Sequence, residues 1–382
     1  MHLGGLDMGL INIRLGDYIE RSTINNKDLK YGVDLIVGVN SQGVFATPKG
    51  NTDGVDLKPY KIVENGAFVY NPTRLELGSI AYRTEELCIV SHLYMVFYLT
   101  DEGKKIIDPT WLYIYFRRSE FCREVKFRNF GSQRPEFNFN DMSDIVIPLP
   151  DIEIQKKYVD IYNTMLENQK SYEYGLEDLK LACDAYIEDL KHSIHCKAIG
   201  PYVERYDVRN RTNEIKNVMG VSTSKEFREP TSKVNRNELS NYKIVRPRQI
   251  SFVQTTHNEK VFAYAFNNTE DDIVVTSVNE VFSVDEDKLL PEYLCVFFNR
   301  TEFDRYARFH SWGSARETFT WDDLVKVEIP IADMKTQKSI ADIYKAYKER
   351  KAINEKLKAQ IKDICPILIK GSIEEARKAK EA

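Results

Sequence analysis

The sequence predicts a mixed α/β (α+β) fold in which two globular modules alternate with two long helices. Three observations support this prediction: an internal repeat at constant spacing, short strand-like runs in each repeat, and a heptad pattern after each module. With 382 residues, 42% of them hydrophobic, the chain is long enough to bury two cores. We predict a first module at 1–150, a central helix at 151–196, a second module at 197–332, and a helix and tail at 333–382.

The repeat has an offset of 182 residues. The tetrapeptide YKIV at 60–63 returns at 242–245. The same offset relates Gly38 to Gly220, Pro109 to Pro291, Phe121 to Phe303, Gly131 to Gly313, Pro148 to Pro330, Gln155 to Gln337 and Tyr162 to Tyr344. The pair VF at 96–97 matches 281–282 at an offset of 185. We therefore expect a three-residue insertion in a surface loop, compensated by a shorter loop before Pro291.

Each module begins as a series of short apolar runs. Those at 35–37, 67–70 and 93–99 are separated by Gly, Asn and Pro turn signals, which is typical of strands in a mixed domain. The segment IPLPD at 147–151 follows, where two prolines stiffen the chain and Asp151 can cap a helix. Its equivalent in the second repeat is IPIAD at 329–333.

Heptads predict the two long helices. In the first, the seam positions are Tyr158, Met165, Tyr172, Leu179 and Tyr186, alternating with Tyr162, Gln169, Leu176, Cys183 and Leu190. In the second they are Ile340, Tyr347, Asn354, Ile361 and Leu368, alternating with Ile343, Arg350, Leu357 and Ile364. We expect Asn354 and Arg350 to be buried, and Pro366 to kink or end the helix. The alternative to a coiled coil is that each helix packs on its own module.

Composition limits the class of protein. The net charge of −4 counts against a nucleic-acid binder that works through a uniformly basic surface. Locally, residues 117–134 hold six basic residues against two acidic ones, and 205–248 hold eleven against five. Six scattered cysteines, the absence of a basic apolar leader and the absence of an eighteen-residue apolar run predict a cytoplasmic protein with no membrane span.

No recognisable catalytic motif is present. The chain lacks both G-x-x-x-x-G-K-[ST] and G-x-G-x-x-G. The E-x-K spacing of Glu124 and Lys126 lacks the upstream Pro-Asp pair of nucleases. His192, His195 and Cys196 could ligate zinc but have no apparent fourth partner, so we favour histidines placed at a helix end. We predict a chain with no catalytic residue and no metal site.

Three peptides resemble a known family. These are FVYNPTRLELGSIA at 68–81, IVS at 89–91 and YMVF at 94–97, and they are similar to the specificity subunits of type I restriction-modification systems. The target recognition domains of that family close with a glycine-rich loop containing arginine, an I-P-x-P stretch, and a helix that opens with acidic residues and Gln. The loops here are GSQR at 131–134 and GSAR at 313–316. The second module lacks the N-P-x-R segment, so its assignment depends more on the repeat.

The resemblance covers nearly the whole chain and implies a function. The two modules would be target recognition domains, and the helices would pair antiparallel. Residues 158–190 would form about 50 Å of helix, a spacer between two short DNA sequences that flank unread bases. Two methyltransferase (modification) subunits and two restriction/translocase subunits would carry out adenine methylation and restriction, in defence against foreign DNA. S-adenosylmethionine, ATP and magnesium would bind to those partners, and no cofactor to this non-catalytic chain.

We expect DNA contacts from polar and basic residues at equivalent places in the two modules. The candidates are Asn71, Arg74, Arg117, Arg118, Ser132, Gln133 and Arg134 in the first, and Gln254, Thr255, His257, Arg308, Ser314 and Arg316 in the second. For each, the alternative is a surface or fold-stabilising role. Other functions that fit the sequence are the specificity subunit of a combined methyltransferase-endonuclease, a coiled-coil scaffold with no DNA role and, ranked lowest, a self-sufficient nuclease.

Overall fold

The computed structural model describes residues 9–48, 50, 52, 54–129, 136–255, 261–311 and 317–381. The chain divides into two compact units: Met1–Lys170 with Glu355–Ala382, and Ser171–Asn354. Each unit contains one module of mixed strands and helices together with parts of both long helices. The predicted fold class is confirmed. The four-segment division remains a prediction, since the compact units divide each long helix between them.

The first module is built around a four-stranded antiparallel sheet in the order β2-β9-β6-β7. Its strands are β1 (Ile11–Arg14), β2 (Ile19–Ser22), β3 (Gly38–Val39), β4 (Phe45–Ala46), β5 (Lys61–Val63), β6 (Phe68–Tyr70), β7 (Ile80–Tyr82), β8 (Cys88–Val90), β9 (Met95–Leu99) and β10 (Val146–Leu149). Its helices are α1 (Asp101–Ile106), α2 (Pro109–Phe116), α3 (Ser119–Arg128) and α4 (Phe139–Ser143), and α5 (Ile152–Ser193) follows.

One predicted strand is wrong. The run at 35–37 is the end of a 3-10 turn, Val33–Leu35, after which Ile36 forms a single bridge to Ile89. That bridge includes the bond from Val37 N–H to Ile89 O at 3.0 Å and does not continue into a ladder. The runs at 67–70 and 93–99 are confirmed by β6 and β9.

The second module repeats the architecture, with a four-stranded sheet in the order β12-β19-β16-β17. Its strands are β11 (Cys196–Ala198), β12 (Val203–Tyr206), β13 (Gly220–Val221), β14 (Phe227–Arg228), β15 (Lys243–Val245), β16 (Ile250–Val253), β17 (Tyr264–Phe266), β18 (Ile273–Val275), β19 (Asn279–Val284) and β20 (Glu328–Pro330). Its helices are α6 (Pro291–Phe298), α7 (Thr301–Phe309) and α8 (Trp321–Leu324), and α9 (Met334–Glu381) follows.

Strand register confirms the internal repeat. Val69 of β6 pairs with Val96 of β9, and their equivalents Ser251 and Val281 pair in the second module. The predicted change in loop length is also confirmed. Helix α1 lies between β9 and α2, whereas the described residues between β19 and α6 are fewer and form no helix.

Aromatic residues fill both cores. Phe68, Phe97 and Phe116 are fully buried in the first module, as Phe252, Phe282 and Phe298 are in the second. The long helices contribute to the same cores. The buried core residues that the long helices contribute are Val159, Tyr162, Ile361, Cys365, Leu368, Ile369 and Ile373 in the first unit, and Cys183, Ile187 and Ile340 in the second. The helices are therefore structural parts of the modules as well as partners of each other.

Within each unit the two helices run antiparallel, as the resemblance implies. In the first, Lys157 Nζ lies 2.8 Å from the Glu375 carboxylate, and Tyr162 farther along α5 lies beside Cys365, which is earlier in α9. In the second, the Arg350 guanidinium lies 5.8 Å from the centre of the Tyr172 ring. Farther along α5, Cys183 shares a crevice with Tyr344 and Tyr347 of α9.

The predicted seam holds with two corrections. Asn354 is buried, as expected. Arg350 is exposed, although its guanidinium reaches α5 beside Gly175 and the Tyr172 ring. Tyr186 is 52% exposed while its neighbour Ile187 is fully buried. At this end of α5 the buried position is set by the module core, which contains Ile187.

Pro366 does not end α9, which continues to Glu381. A proline in a helix interior removes one backbone hydrogen bond and costs about 3 kcal/mol. Cys365, Leu368 and Ile369 on either side of it are buried in the first module's core. We attribute the continuity of the helix to this burial.

A buried glutamine fixes the start of each long helix. Gln155 donates from Nε2 to the carbonyls of Ile106 and Pro150 at 2.8 and 2.7 Å, and accepts at Oε1 from Asp108 N–H at 2.8 Å. Gln337 makes the equivalent three bonds to Lys288, Ala332 and Leu290. The predicted caps are confirmed, since the Asp151 carboxylate accepts from Glu153 N–H and the Asp333 carboxylate from Thr336 N–H.

Candidate nucleic-acid interface

In the first module, the segment after β6 lies beside the two ends of the predicted glycine-rich loop. The chain leaves α3 at Asn129 and returns at Phe137, whose N–H donates to the Pro72 carbonyl at 3.0 Å. Helix α3 itself packs on the 3-10 turn Leu75–Leu77. The fold thus brings the candidates at 71–74 next to the residues that flank the loop.

Asn71 and Arg74 differ in whether their side chains have partners within the module. The Asn71 side-chain oxygen accepts from Thr73 N–H and Oγ1 at 3.1 and 2.9 Å, so it shapes the turn after β6. Arg74 is exposed, and its guanidinium pairs with no residue in the described part of the chain. Within the described residues nothing holds the Arg74 guanidinium, and its contact with a phosphate or a base edge remains a prediction.

Arg117 and Arg118 have partners within the module. Arg117 donates from Nη1 to the Gly78 carbonyl and lies against Gly43, and both glycines have positive φ, +89° and +75°. Arg118 donates to the Tyr115 carbonyl at 3.0 Å, with its guanidinium 3.7 Å from the centre of the Tyr115 ring. Both side chains stabilise the fold, and a DNA contact by either remains a prediction.

The second module places its candidates in the same way. Phe319 N–H donates to the Gln254 carbonyl at 2.8 Å, and Thr255 forms a bridge with Thr318. The Gln254 side-chain amide donates to the Glu280 carboxylate. Arg308 is exposed near the end of α7, where no described residue pairs with its guanidinium.

Six of the candidates, five of them in the glycine-rich loops, lie outside the described residues. They are Ser132, Gln133, Arg134, His257, Ser314 and Arg316. Gly131 and Gly313 also lie outside them. Their roles remain predictions from the sequence.

Sequence reasoning missed a charged cluster on the sheet of the second module. Glu280, only 3% exposed, accepts two hydrogen bonds from Arg205 at 2.8 and 2.9 Å and lies 3.4 Å from Lys243 Nζ. The Arg205 pKa is raised, mainly by its hydrogen bonds to Glu280. Gln254 joins this cluster as well. A predicted DNA-contact residue is thus tied to a buried carboxylate.

The first module has the cations of this cluster without the acid. Strand register makes Arg21 equivalent to Arg205, Lys61 to Lys243 and Met95 to Glu280. No described carboxylate pairs with Arg21 or Lys61. Burial and the nearby Arg21 lower the Lys61 pKa. The lysines were visible in the repeated YKIV peptide, but the exchange of Met95 for Glu280 emerges only from the strand register.

Sequence reasoning also missed the outer surfaces of α3 and α7. These carry exposed phenylalanines at equivalent positions, Phe127 and Phe309. The offset of 182 relates them, and only the burial pattern of the helices shows that both face solvent.

The residues of the possible nuclease and zinc sites have ordinary structural positions. Glu124 of the E-x-K peptide accepts from Arg128 at 2.8 Å along α3. His192 lies in the last turn of α5. Among the described residues no group of three or more His, Cys, Asp or Glu side chains could hold a metal ion. No described helix combines the length and apolar character needed to cross a membrane.

Comparisons with known proteins agree with this arrangement. A family model described as a type I restriction modification DNA specificity domain matches residues 10–173 and again 210–363. Twelve solved chains match. One is the S subunit of a type I restriction-modification system from M. genitalium, which is 10% identical, with 97% of this chain and 98% of that chain covered and a TM-score of 0.58.

Two further solved chains are each 15% identical to this one. The HsdS subunit from Thermoanaerobacter tengcongensis is covered at 96% of both chains, with a TM-score of 0.40. A chain from a structure described as showing complex assembly and conformational transition of the type I R-M system is covered at 97% of both, with a TM-score of 0.46. No protein of curated function matches.

Proposed function

Because this chain belongs to the type I restriction-modification DNA specificity family, with two copies of the family's domain, we propose that it recognises a two-part DNA target for partner subunits. The observation that carries this proposal is the pair of modules with the same sheet order but different polar residues at equivalent places. Two half-targets of different sequence would require that combination.

Within each module, exposed cations would position the DNA and neighbouring polar side chains would recognise bases. Arg74 and Arg308 are suited to phosphates, because both are exposed and neither has a described ion-pair partner. The segments after β6 and β16 would approach the base edges, with Asn71 in the first and Gln254 in the second. The half-targets would differ because these segments differ.

The long helices would set the number of unread base pairs. Helix α5 has 42 residues, on the order of 60 Å at 1.5 Å per residue. One face of duplex DNA recurs about every 34–36 Å. A helical spacer of this size is suited to half-targets about one or two turns apart.

Catalysis would belong to the partners. We assign adenine methylation to two methyltransferase subunits and cleavage to two restriction/translocase subunits, which would bind S-adenosylmethionine, ATP and magnesium in the cytoplasm. The net charge of −4 supports a shared phosphate clamp, in which methyltransferases supply much of the positive charge. Nanomolar binding of the target by the purified chain alone, in physiological salt, would overturn this division of labour.

Exchange of modules tests the function directly. The first module, residues 1–150, is replaced by that of a relative, and methylated bases are then mapped by genome sequencing. We expect one half of the methylated motif to change and the other to stay. The matched control exchanges residues 197–332 and should change the opposite half.

An unchanged motif after both exchanges would favour the scaffold alternative. The combined methyltransferase-endonuclease alternative is tested separately by purifying the complex. A distinct ATP-driven motor subunit is expected to co-purify, and its absence beside a cleaving methyltransferase would favour that alternative.

A further inference from the structure

The outer surfaces of α3 and α7 carry matching sets of three exposed side chains. Phe127 is 81% and Phe309 is 80% exposed. Two basic residues accompany each ring, and all six positions are related by the repeat offset. We define the aromatic–basic faces as Arg123, Lys126 and Phe127 in α3, and Arg305, Arg308 and Phe309 in α7.

Helix periodicity separates these residues from the core. Arg123, Lys126 and Phe127 are spaced i, i+3 and i+4, so they share one side of α3. The opposite side buries Phe121 and Val125. In α7 the buried residues are Phe303 and Ala307. Each module therefore has a complete apolar contact on the inner side of the helix, and the outer phenylalanine adds nothing to it.

A single exposed apolar residue is ordinary. Here the same ring is exposed in both modules, although neighbouring segments have diverged, as Asn71 and its equivalent Val253 show. Burial of a phenylalanine side chain removes a large apolar area from water and is favourable. Two exposed rings at one repeat position indicate a surface that is covered in the working complex.

The charges indicate what covers it. Lys126 and Arg308 have no carboxylate partner in the described part of the chain. Arg123 and Arg305 lie 3.4 and 3.7 Å from Glu120 and Glu302. Ion pairs this exposed contribute little, so a phosphate can compete with them. A cationic rim around an apolar ring complements the phosphates and deoxyribose edges of a duplex.

The position of the two faces along the chain also indicates that DNA covers them. Helix α3 ends at Arg128, three residues before Gly131 of the predicted glycine-rich loop, and α7 ends at Phe309, four residues before Gly313 of its equivalent. Helix α3 also packs on the turn that follows Arg74. Each aromatic–basic face is thus adjacent in sequence to the segment predicted to recognise bases.

We propose that the two aromatic–basic faces are sequence-independent DNA contacts. Their basic side chains bind phosphates and the phenylalanine ring packs on the sugar and groove edge, so both modules dock on DNA in the same way. This inference rests on the proposed function and adds to it. Residues that contact the constant part of DNA should stay alike in both modules, whereas residues that choose bases should differ.

Two double variants of the full chain test the proposal. One is Lys126→Ala with Arg308→Ala, and the other is Phe127→Ala with Phe309→Ala. Binding of a random-sequence duplex is followed by fluorescence anisotropy across a salt series starting at low salt. We expect the first to lower the log–log salt slope by about 2, since each lost phosphate contact contributes about 0.9. The second should weaken binding roughly tenfold with the slope unchanged.

Matched controls remove the same chemistry elsewhere. Lys104→Ala with Lys105→Ala takes two exposed charges from α1, which has no counterpart among the described residues of the second module. Leu181→Ala removes an exposed apolar side chain of α5, which is 70% exposed. Both controls should bind the random duplex like the original chain. Thermal melting checks that every variant is folded.

The methylated motif separates this proposal from the proposed function. In complexes with the methyltransferase, both double variants should methylate the same motif more slowly. A changed motif would overturn sequence independence, and unchanged binding of the random duplex would overturn the DNA assignment. If binding is unchanged and the variants no longer co-purify with the methyltransferase, the faces bind that subunit instead. Module exchange tests the proposed function whatever the result.

Discussion

The two modules place the same cations in the same register and use them differently. In the second, Arg205 and Lys243 surround the buried Glu280. In the first, the equivalent positions hold Arg21, Lys61 and Met95, so the cations are kept and the acid is replaced by an apolar residue. Both modules keep an aromatic core, whereas the charge pattern differs. The lesson is that the framework depends on packing, so the polar surface can change without loss of fold.

Arg118 and Arg300, which are equivalent in the two modules, also make different polar contacts. Arg300 precedes α7, is 6% exposed, and is held by Asp184, Glu188 and Glu302. Its equivalent Arg118 packs instead on the Tyr115 ring. The reason lies in the long helices, because the positions in α9 equivalent to Asp184 and Glu188 are Pro366 and Lys370. The first unit offers no carboxylate there.

The largest expected effect comes from giving the second module the residue of the first. Glu280→Met leaves Lys243, whose side chain is 5% exposed, without its buried partner. We expect a loss of about 3 kcal/mol in the free energy of unfolding, measured by chemical denaturation and located in the second unit by hydrogen exchange. The control Met95→Leu should cost under about 1.5 kcal/mol. A cost for Glu280→Met as small as the control would show that the cluster is not stabilising.

Removal of each module's equivalent arginine should give unequal results. Arg300→Ala removes a buried cation that pairs with three carboxylates, and we expect a loss of about 2 kcal/mol. Arg118→Ala loses mainly the stacking on Tyr115, worth about 1 kcal/mol. Thermal unfolding of both variants measures the difference. Equal losses would mean that the ion pairs add nothing to the packing of Arg300.

Replacement of Pro366 is expected to stabilise the first unit. Pro366→Ala restores a backbone donor inside α9, and we expect the free energy of unfolding to rise by about 1–3 kcal/mol. Lys370→Ala is the control, at a helix position with 76% side-chain exposure, and should change stability by less than about 0.5 kcal/mol. A loss of stability in Pro366→Ala would show that the proline ring itself is needed in the core.

Mild acid should weaken the second unit before the first, and this is the smallest expected effect. The carboxyl groups with lowered pKa values among the described residues are Glu188, Asp207, Asp285, Asp323 and Asp333 in the second unit and Glu375 in the first. Hydrogen bonds from Arg300 and Lys191 lower the pKa of Glu188.

A carboxyl group with a lowered pKa stabilises the fold above its unfolded pKa of about 4, and this stabilisation is lost as the pH falls through the folded value. Hydrogen exchange, corrected for the intrinsic effect of pH, should therefore show protection falling first in the second unit between about pH 5 and pH 3. Earlier loss in the first unit would contradict the assignment of these hydrogen bonds and ion pairs.

Features that depend on identity and apolar periodicity could be predicted from the sequence. The 182-residue offset predicted equivalent strands and helices, and Gln155 and Gln337 occupy equivalent buried positions. The heptads predicted two long helices because their apolar positions recur along one segment of chain. The burial of Asn354 followed from the same pattern.

Features that depend on contacts distant in sequence could not be predicted. Glu280 meets Arg205 across 75 positions, so its role appears only once the strands are paired. Arg350 breaks the heptad prediction because Gly175 leaves room for its side chain along α5. Ile187 is buried in place of the predicted Tyr186, because at this end of α5 the side of the helix that packs on the module core is the buried one.

The composition of the first unit affects the order of folding during synthesis. Its core includes Ile361, Cys365, Leu368, Ile369 and Ile373 of α9, which are translated only after the whole of Ser171–Asn354. At 5–20 residues per second, the first module waits on the order of 10–40 s for this part of its core. The second unit, which is continuous in sequence, is synthesised during that interval. Until then the nascent first module would expose the apolar surface that these residues later cover. That surface would be the main binding site for a chaperone on the nascent chain.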